Sequence, residues 1–481
     1  DFLHERFTLD VVLDYNRMHD RRNMLTVRRL AELASLYRDA IDVRLHLFQT
    51  PSSLNRFLGP FGRAKEMLGV QHTKIFAFDD EDTILTGANL SDDYFKNRMD
   101  RYVVVEGNAQ LAEWCTRCVE ALASLSHRVV FAAEDALPAD LLMTAEIFAS
   151  TPTKRSTMGS PKSSTESLCS TPSTSDQPTH RQPKVHSKSK LMILPNNCLA
   201  DPTHDHASFR AAALQRFEEF AADVYSASEE RLTFLCGRVG AEERRRVNTL
   251  LFPTLQFGRV GIHHDVHVVE KVLRCTTQAM RVCLTSPYLN MYWRFTEQVL
   301  KSKAAFDFIT ASVKSNGWSG QKGMAGQIPY FYLQLERNYF FLMESFGCTD
   351  RVKIREYTEP GMTFHAKGLW ILDSGVGGMK ETSAATTTTT AQSGRSEILG
   401  EPFMAAYGST NYGNRSIHKD VEVEAFVLTW DTSLRLQMQV ELQRLMKQTE
   451  EASRERFVGA RQGRFQPVVA LIASMGQDYL Q

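Results

Sequence analysis

The sequence predicts an α/β fold in two similar halves, and three observations carry the prediction. Strand-like segments alternate with segments of helical spacing, the alternation starts again after residue 255, and the same four chemical groups recur in the same order in each half. In chain order, FTLDVVLD and IDVRLHLF have the β-branched character of strands, with TVRRLAELASLYRDA between them at helical spacing. HTKIFAF and RYVVVEG follow as strands and NAQLAEWCTRCVEALASL as a helix. In the second half QFGRVGI, RVCLTSPY, AFDFITAS, VKIREY, HAKGLWIL and EVEAFVLTW read as strands. Helices are predicted through HVVEKVLRCTTQAM, from about Met291 to Lys303 and through YFYLQLERNYFFLMESF, with a last long helix after the final strand. Such alternation places helices on both faces of a sheet.

Two low-complexity segments divide the 481 residues. From Thr151 to Lys190, 22 of 40 residues are Ser, Thr or Pro, too few of the rest being apolar to offset the entropy of ordering, so a disordered insert is expected there. A second disordered loop is expected at 374–397, around Thr386–Thr390. The expected organisation is a first lobe over 1–150, the insert over 151–190, and a second lobe with C-terminal helices over 191–481. The first half shows no counterpart of the strand and helix that open the second, as expected of a chain whose N-terminal part lies upstream of Asp1.

The 56 Lys and Arg balance the 56 Asp and Glu, which argues against holding nucleic acid by bulk charge, and no nucleic-acid partner is expected. No apolar run approaches the roughly 20 residues of a membrane-spanning helix, so any membrane is expected to be met at its surface. Cys115 and Cys118 form a CxxC without a second pair, and His204, His206, His263, His264 and His267 complete no ligand set. No metal or cofactor is expected.

The chemistry lies in the repeated groups. QHTKIFAFDDEDTILTGAN sets His72 and Lys74 two residues apart, with Asn89 seventeen after the histidine. FHAKGLWILDS gives His365 and Lys367 the same spacing, and AYGSTNYGNRS supplies Gly408, Ser409 and Asn411. Asp100 stands eleven residues after Asn89, and Glu422 eleven after Asn411. A single HxK carries little weight, since a strand histidine is more often structural; the doubled series at matched offsets is what points to a site. Two apart on a strand puts each histidine and its lysine on one face. A neutral imidazole can attack phosphorus, while a second, protonated one gives the leaving oxygen a proton and later takes one from the acceptor. One ring cannot do both. Lys74, Lys367, Asn89 and Asn411 would then surround the oxygens that gain charge, and Asp100 and Glu422 would accept from the far ring nitrogens of His72 and His365.

These motifs resemble the HKD signatures of the phospholipase D superfamily. The strings GANLSDDYFKNRMDRYVVV, TSPYLN, TFHAKGLWI and GSTNYGNRSIHKDVE are similar to those of the eukaryotic phosphatidylglycerophosphate synthases, most specifically at 71–105 and 363–424 and least from about 130 to 255. The resemblance implies two phospholipase D-like lobes, each a mixed β-sheet flanked by helices, pseudo-twofold related with one shared active site. It implies an enzyme that moves a phosphatidyl group from CDP-diacylglycerol to glycerol 3-phosphate and releases CMP, at the matrix face of the mitochondrial inner membrane. It also implies His72 as nucleophile, a role that the residues alone leave open between His72 and His365. A hydrolase of the same superfamily, acting on lipid or nucleic acid, is the alternative reading. The sequence departs from the signature in two places. Thr86 and Gly87 stand where glycine and serine are usual, and Asp373 comes one residue later than Asp79 predicts, so both aspartates are read as structural.

Two phosphorylated substrates call for further cations. Arg98, Arg101, Arg415 and Lys419, just beyond the asparagines, are candidate phosphate ligands together with Ser409, against the plainer reading of arginines paired to local acids. SNGWSGQKGMAGQIPYFY offers glycines before a helix, suited equally to a diphosphate and to an ordinary loop. A lipid substrate keeps its chains in a bilayer, and SSLNRFLGPFGRAKEMLG presents Leu54, Phe57, Leu58 and Phe61 among Arg56, Arg63 and Lys65 for an anionic membrane surface. The terminal RFQPVVALIASM is a second candidate for that contact.

Overall fold

The computed structural model describes residues 7–18, 20–37, 41–57, 65–132, 146–148, 190–196, 198, 200–237, 247–373 and 400–459, with Arg21, 146–148, 225–237 and Gly459 described by backbone alone. β1 (Phe7–Asp14) and β2 (Ile41–Phe48) run parallel, joined by α1 (Arg21–Leu36), which Asp20 caps by accepting from the Arg22 amide. A separate antiparallel sheet follows from β3 (Ile75–Phe78), β4 (Asp82–Thr86) and β6 (Tyr102–Val105), with α2 (Asp92–Lys96) and the short β5 (Arg98–Met99) between the last two. After α3 (Ala109–Ser124), β7 (His127–Ala132), β8 (Glu146–Phe148) and β9 (Lys190–Asn196) complete a five-stranded sheet in the order β1-β2-β7-β9-β8. Val27 and Ala31 of α1 pack there against Leu45, Leu47, Val129, Phe131, Leu191 and Ile193.

This sheet corrects the boundary expected at residue 191. Lys190–Asn196 pairs with β7 and β8, because Leu191 and Ile193 fill the core under α1 and would be uncovered elsewhere. α4 (His206–Gly237) then lies against α3, with Phe209 and Phe217 joining Phe48 and Trp114 in a second core. Neither β9 nor α4 is read from the sequence. Apart from Lys190, the expected insert lies outside the described residues, as do the loop 374–397, Leu58, Phe61 and RFQPVVALIASM.

The second half builds one large sheet from β10 (Thr249–Phe257), β11 (Ile262–His263), β12 (Met280–Thr285), β13 (Ala305–Ala311), β14 (Val352–Tyr357), β16 (Gly368–Asp373), β17 (Pro402–Gly408), β18 (Val421–Thr429) and β19 (Thr449–Glu451). Its nine strands run in the order β11-β10-β18-β17-β16-β12-β13-β14-β19. On one face, α5 (His264–Arg274), α6 (Trp293–Lys301) and α7 (Ile328–Ser345) enclose Phe295, Phe306 and Phe308; α8 (Asn414–His418) precedes β18; and α9 (Thr432–Lys447) covers Trp370 and Tyr357 on the other face. The result is the mixed α/β architecture that the alternation predicts. Two short parallel contacts lock the halves together: β15 (Thr363–Phe364) pairs with β5, and Gln71 bridges Val421. Among the described residues no helix is long and apolar enough to cross a membrane.

Candidate active site

His72 and Lys74 precede β3, and His365 and Lys367 fill the gap between β15 and β16, which corrects the reading of both motifs as strand residues. Lys74 Nζ donates to the carbonyl of His72 (2.5 Å) and Lys367 Nζ to that of His365 (2.8 Å), so a side chain rather than a neighbouring strand takes each carbonyl. The rings are instead directed by the opposite half. The His365 amide donates to Met99 O (2.8 Å), the residue before Asp100, and the His72 amide to Val421 O (2.9 Å), the residue before Glu422. Each contact delivers the next carboxylate to the ring. With Nδ1 protonated, His365 donates to Asp100 Oδ2 (2.7 Å) and His72 to Glu422 Oε2 (2.8 Å). Both rings therefore take their acceptor across the interface between the halves.

Burial shapes the titration of the whole cluster. Desolvation, with Lys74 beside it, holds His72 well below the ordinary imidazole range, and desolvation with Lys367 does the same to His365 against the pull of Asp100. Burial pushes Lys74 well below the usual ammonium range, despite Glu422, and brings Lys367 down to about 8. The carboxylates diverge. Burial opposes ionisation of Asp100, but Lys367 and the hydrogen bond from His365 outweigh it and hold its carboxyl below the usual range. For Glu422 burial prevails, raising it to about 7 in spite of Lys74, Ser409 and Ser416; Ser416 Oγ donates to its Oε1 at 2.7 Å.

The remaining expected residues separate into two groups. Asn89 Nδ2 donates to the Tyr94 hydroxyl (3.3 Å), which sits 3.2 Å from His365 Nδ1 with the two rings edge to face. Arg98 lies over the Tyr94 ring, 5.1 Å from its centroid. The amide oxygen of Asn411 is buried without a hydrogen-bond partner. Asn89, through Tyr94, and Arg98 stand with His365. Arg101 is instead built into the interior: its guanidinium donates to Lys367 O (3.1 Å), Ala406 O (2.7 Å) and Glu441 (2.8 Å), and stacks between Trp370 and Tyr407. Arg415 is buried and bound to Asp420 (2.9 Å) and Glu66 O (2.6 Å). Ser409 is buried and accepts from the Val423 amide (3.1 Å), while Lys419 lines a separate cavity. Asp79 occupies a left-handed turn at φ 50°, and Asp373 ends β16 facing Arg435.

Tyr94 and Arg17 escape sequence reasoning. Neither has a counterpart in the duplicated series, although Arg17, just past β1, lowers both His72 and Lys74. The glycine at the usual serine position does have a structural reason: a Cβ at Gly87 would lie 2.6 Å from Asp100 Oδ1. Among the described residues no group of three His, Cys, Asp or Glu is placed to hold a metal ion.

The site thus consists of two histidine–lysine segments, each ring backed by a carboxylate from the other half of a doubled α/β frame. No family profile matches the chain. The mitochondrial CDP-diacylglycerol–glycerol-3-phosphate 3-phosphatidyltransferase of Mus musculus is 30% identical over 91% of this chain and 66% of its own length, so the chain spans about two thirds of that relative. The probable enzyme of the same name from Dictyostelium discoideum is 27% identical over 91% of this chain and 62% of its own. That of Saccharomyces cerevisiae is 24% identical over 89% and 69%. The chain is thus similar over about nine tenths of its length to the eukaryotic CDP-diacylglycerol–glycerol-3-phosphate 3-phosphatidyltransferases. Among solved structures, the phosphatidylserine synthase of Haemophilus influenzae shares its fold, with a TM-score of 0.54 and 13% identity over 99% of this chain and 90% of that one.

Proposed function

We propose that this chain transfers the phosphatidyl group of CDP-diacylglycerol to glycerol 3-phosphate, releasing CMP and forming phosphatidylglycerophosphate. The crossed pairs His72–Glu422 and His365–Asp100, with two buried lysines between the halves, carry the reading, and the names of the relatives supply its substrates. His72, kept neutral by burial, attacks the lipid-side phosphorus through Nε2; the bond to CMP breaks and His365 protonates the leaving oxygen. Glycerol 3-phosphate then gives its hydroxyl proton to His365 and attacks the phosphohistidine, breaking the P–N bond and restoring His72. Lys74, Lys367, Asn89 and Asn411 stabilise the phosphoryl oxygens, and Arg98 adds a cation at the edge of the site. The unequal carboxylates support these roles: an ionised Asp100 steadies the positive charge His365 must carry, while a Glu422 near 7 favours a neutral His72.

The enzyme works at a lipid surface. Leu54 (49%) and Phe57 (70%) are exposed before the first motif, and Leu90 (76%) and Phe95 (69%) are exposed on either side of the buried Tyr94. The name of the mouse relative supports a mitochondrial setting, and the proposal extends to the matrix face of the inner membrane. Purified protein supplied with CDP-diacylglycerol should yield phosphatidylglycerophosphate and CMP only when glycerol 3-phosphate is present. Phosphatidic acid as the main product with and without the acceptor would mark a hydrolase and end this reading.

A further inference from the structure

Away from the histidines, a cavity of about 440 Å³ opens between Pro51–Leu54, the start of α4 and the turn after β10. His206, Arg210, Arg259, His418 and Lys419 line it, and among the described residues its lining includes no carboxylate. The neighbouring acids are engaged elsewhere, Asp420 by Arg415 (2.9 Å) and Asp205 by the Ser208 amide (3.3 Å). The walls are held by specific bonds. The Ser52 amide donates to Pro202 O (3.0 Å) and Gln49 Nε2 to Thr203 Oγ1 (3.3 Å), fixing the loop to the approach of α4, while the Arg259 guanidinium donates to Leu68 O. Gly69 passes so close to Lys419 O that a Cβ would meet it at 2.4 Å. The volume falls within the roughly 300–1,000 Å³ typical of ligand pockets. Leu54, half exposed, lines the cavity, and the exposed Phe57 follows three residues on.

We propose that this cavity is a second anion site that takes the phosphate of a phosphate monoester. Five side chains that carry or can accept positive charge suit a dianion better than a diester, and arginine adds paired donors for its oxygens. A monoester can arrive as the headgroup of an acidic lipid or as a soluble phosphate, and the apolar Leu54 and Phe57 favour the lipid. The inference is independent of the transferase reading, because it concerns binding alone.

The test uses the full chain, Arg210→Glu, His206→Gln and, as a matched control on α9, Arg444→Glu; Arg210 and Arg444 are both exposed, so their replacement leaves the fold intact. Flotation with vesicles of phosphatidylcholine, alone or containing phosphatidic acid, measures the lipid arm, and thermal shift with inorganic phosphate measures the soluble arm. Phosphatidic acid should recruit the parent and Arg444→Glu alike, with Arg210→Glu weaker by about tenfold and His206→Gln by less. A phosphate-induced thermal shift lost in Arg210→Glu, without preference for phosphatidic acid, supports the site and makes its ligand soluble. Equal behaviour of Arg210→Glu and Arg444→Glu in both arms, or no binding in either, overturns the proposal.

Discussion

Around His365, the acceptor Asp100 has the Lys367 ammonium 3.5 Å from its Oδ2 and its own neighbour's amide, Arg101 N, 2.9 Å from Oδ1. Around His72, the acceptor Glu422 receives a hydroxyl from Ser416, with Ser409 alongside, and its nearest cation is a lysine that burial drives towards neutrality. Charged donors keep one carboxylate ionised; hydroxyl donors leave the other near 7. Two halves with the same series of residues thus present two unequal imidazoles. The inequality comes from the residues beside the carboxylates rather than from the duplicated series itself. Gly87 belongs to this difference, since a serine there, as at 409 in the other half, would collide with Asp100.

The sharpest way to break the comparison is to remove each ring in turn. His72→Ala and His365→Ala should each lower turnover by roughly 10⁴-fold or more. Only His365→Ala should retain label when the lipid-side phosphorus of CDP-diacylglycerol is radioactive, because it keeps the nucleophile and lacks the base for the second step. Label trapped on His72→Ala instead would exchange the two roles. Next in size are the carboxylates. Asp100→Asn should cost roughly 10²–10³-fold in kcat, and Glu422→Gln only about tenfold, because glutamine resembles the protonated acid that Glu422 already partly is. Equal losses would show that the two environments do not matter. The smallest effect is in the pH profile of kcat. Rate should decline as pH falls through about 7, where Glu422 gains a proton and ceases to accept fully from His72. It should decline again as pH rises through about 8, where Lys367 loses its charge. Glu422→Gln should lose the acid limb and keep the alkaline one; an unchanged acid limb would assign it to another group.

Much of the frame is legible in the sequence because its elements follow local rules. FTLDVVLD and IDVRLHLF are strands over the residues quoted, and the 109–124 helix follows its apolar spacing. Lys190–Asn196 is not legible, because its partners lie some sixty residues back across a low-complexity stretch. The identity of the eight central residues is legible from repetition, but their connectivity is not. Offsets along a chain say nothing about which ring a carboxylate meets once two halves face each other, and the meeting is decided by the bridges at Met99 and Val421. Arg101 and Arg415 look like phosphate ligands by position alone. Their fate depends on Glu441 and Asp420, of which the first is distant in sequence and contributed by a helix on the far face of the sheet. Tyr94 carries no pattern at all, and only its placement against His365 reveals it.

The exchange of carboxylates also bears on damage to the gene. A polypeptide that stops before residue 421 forfeits the partner of His72, and one that starts after residue 100 forfeits that of His365. Neither remnant holds both crossed pairs. A chain cut between residues 100 and 421 therefore loses the crossed arrangement whichever piece is kept.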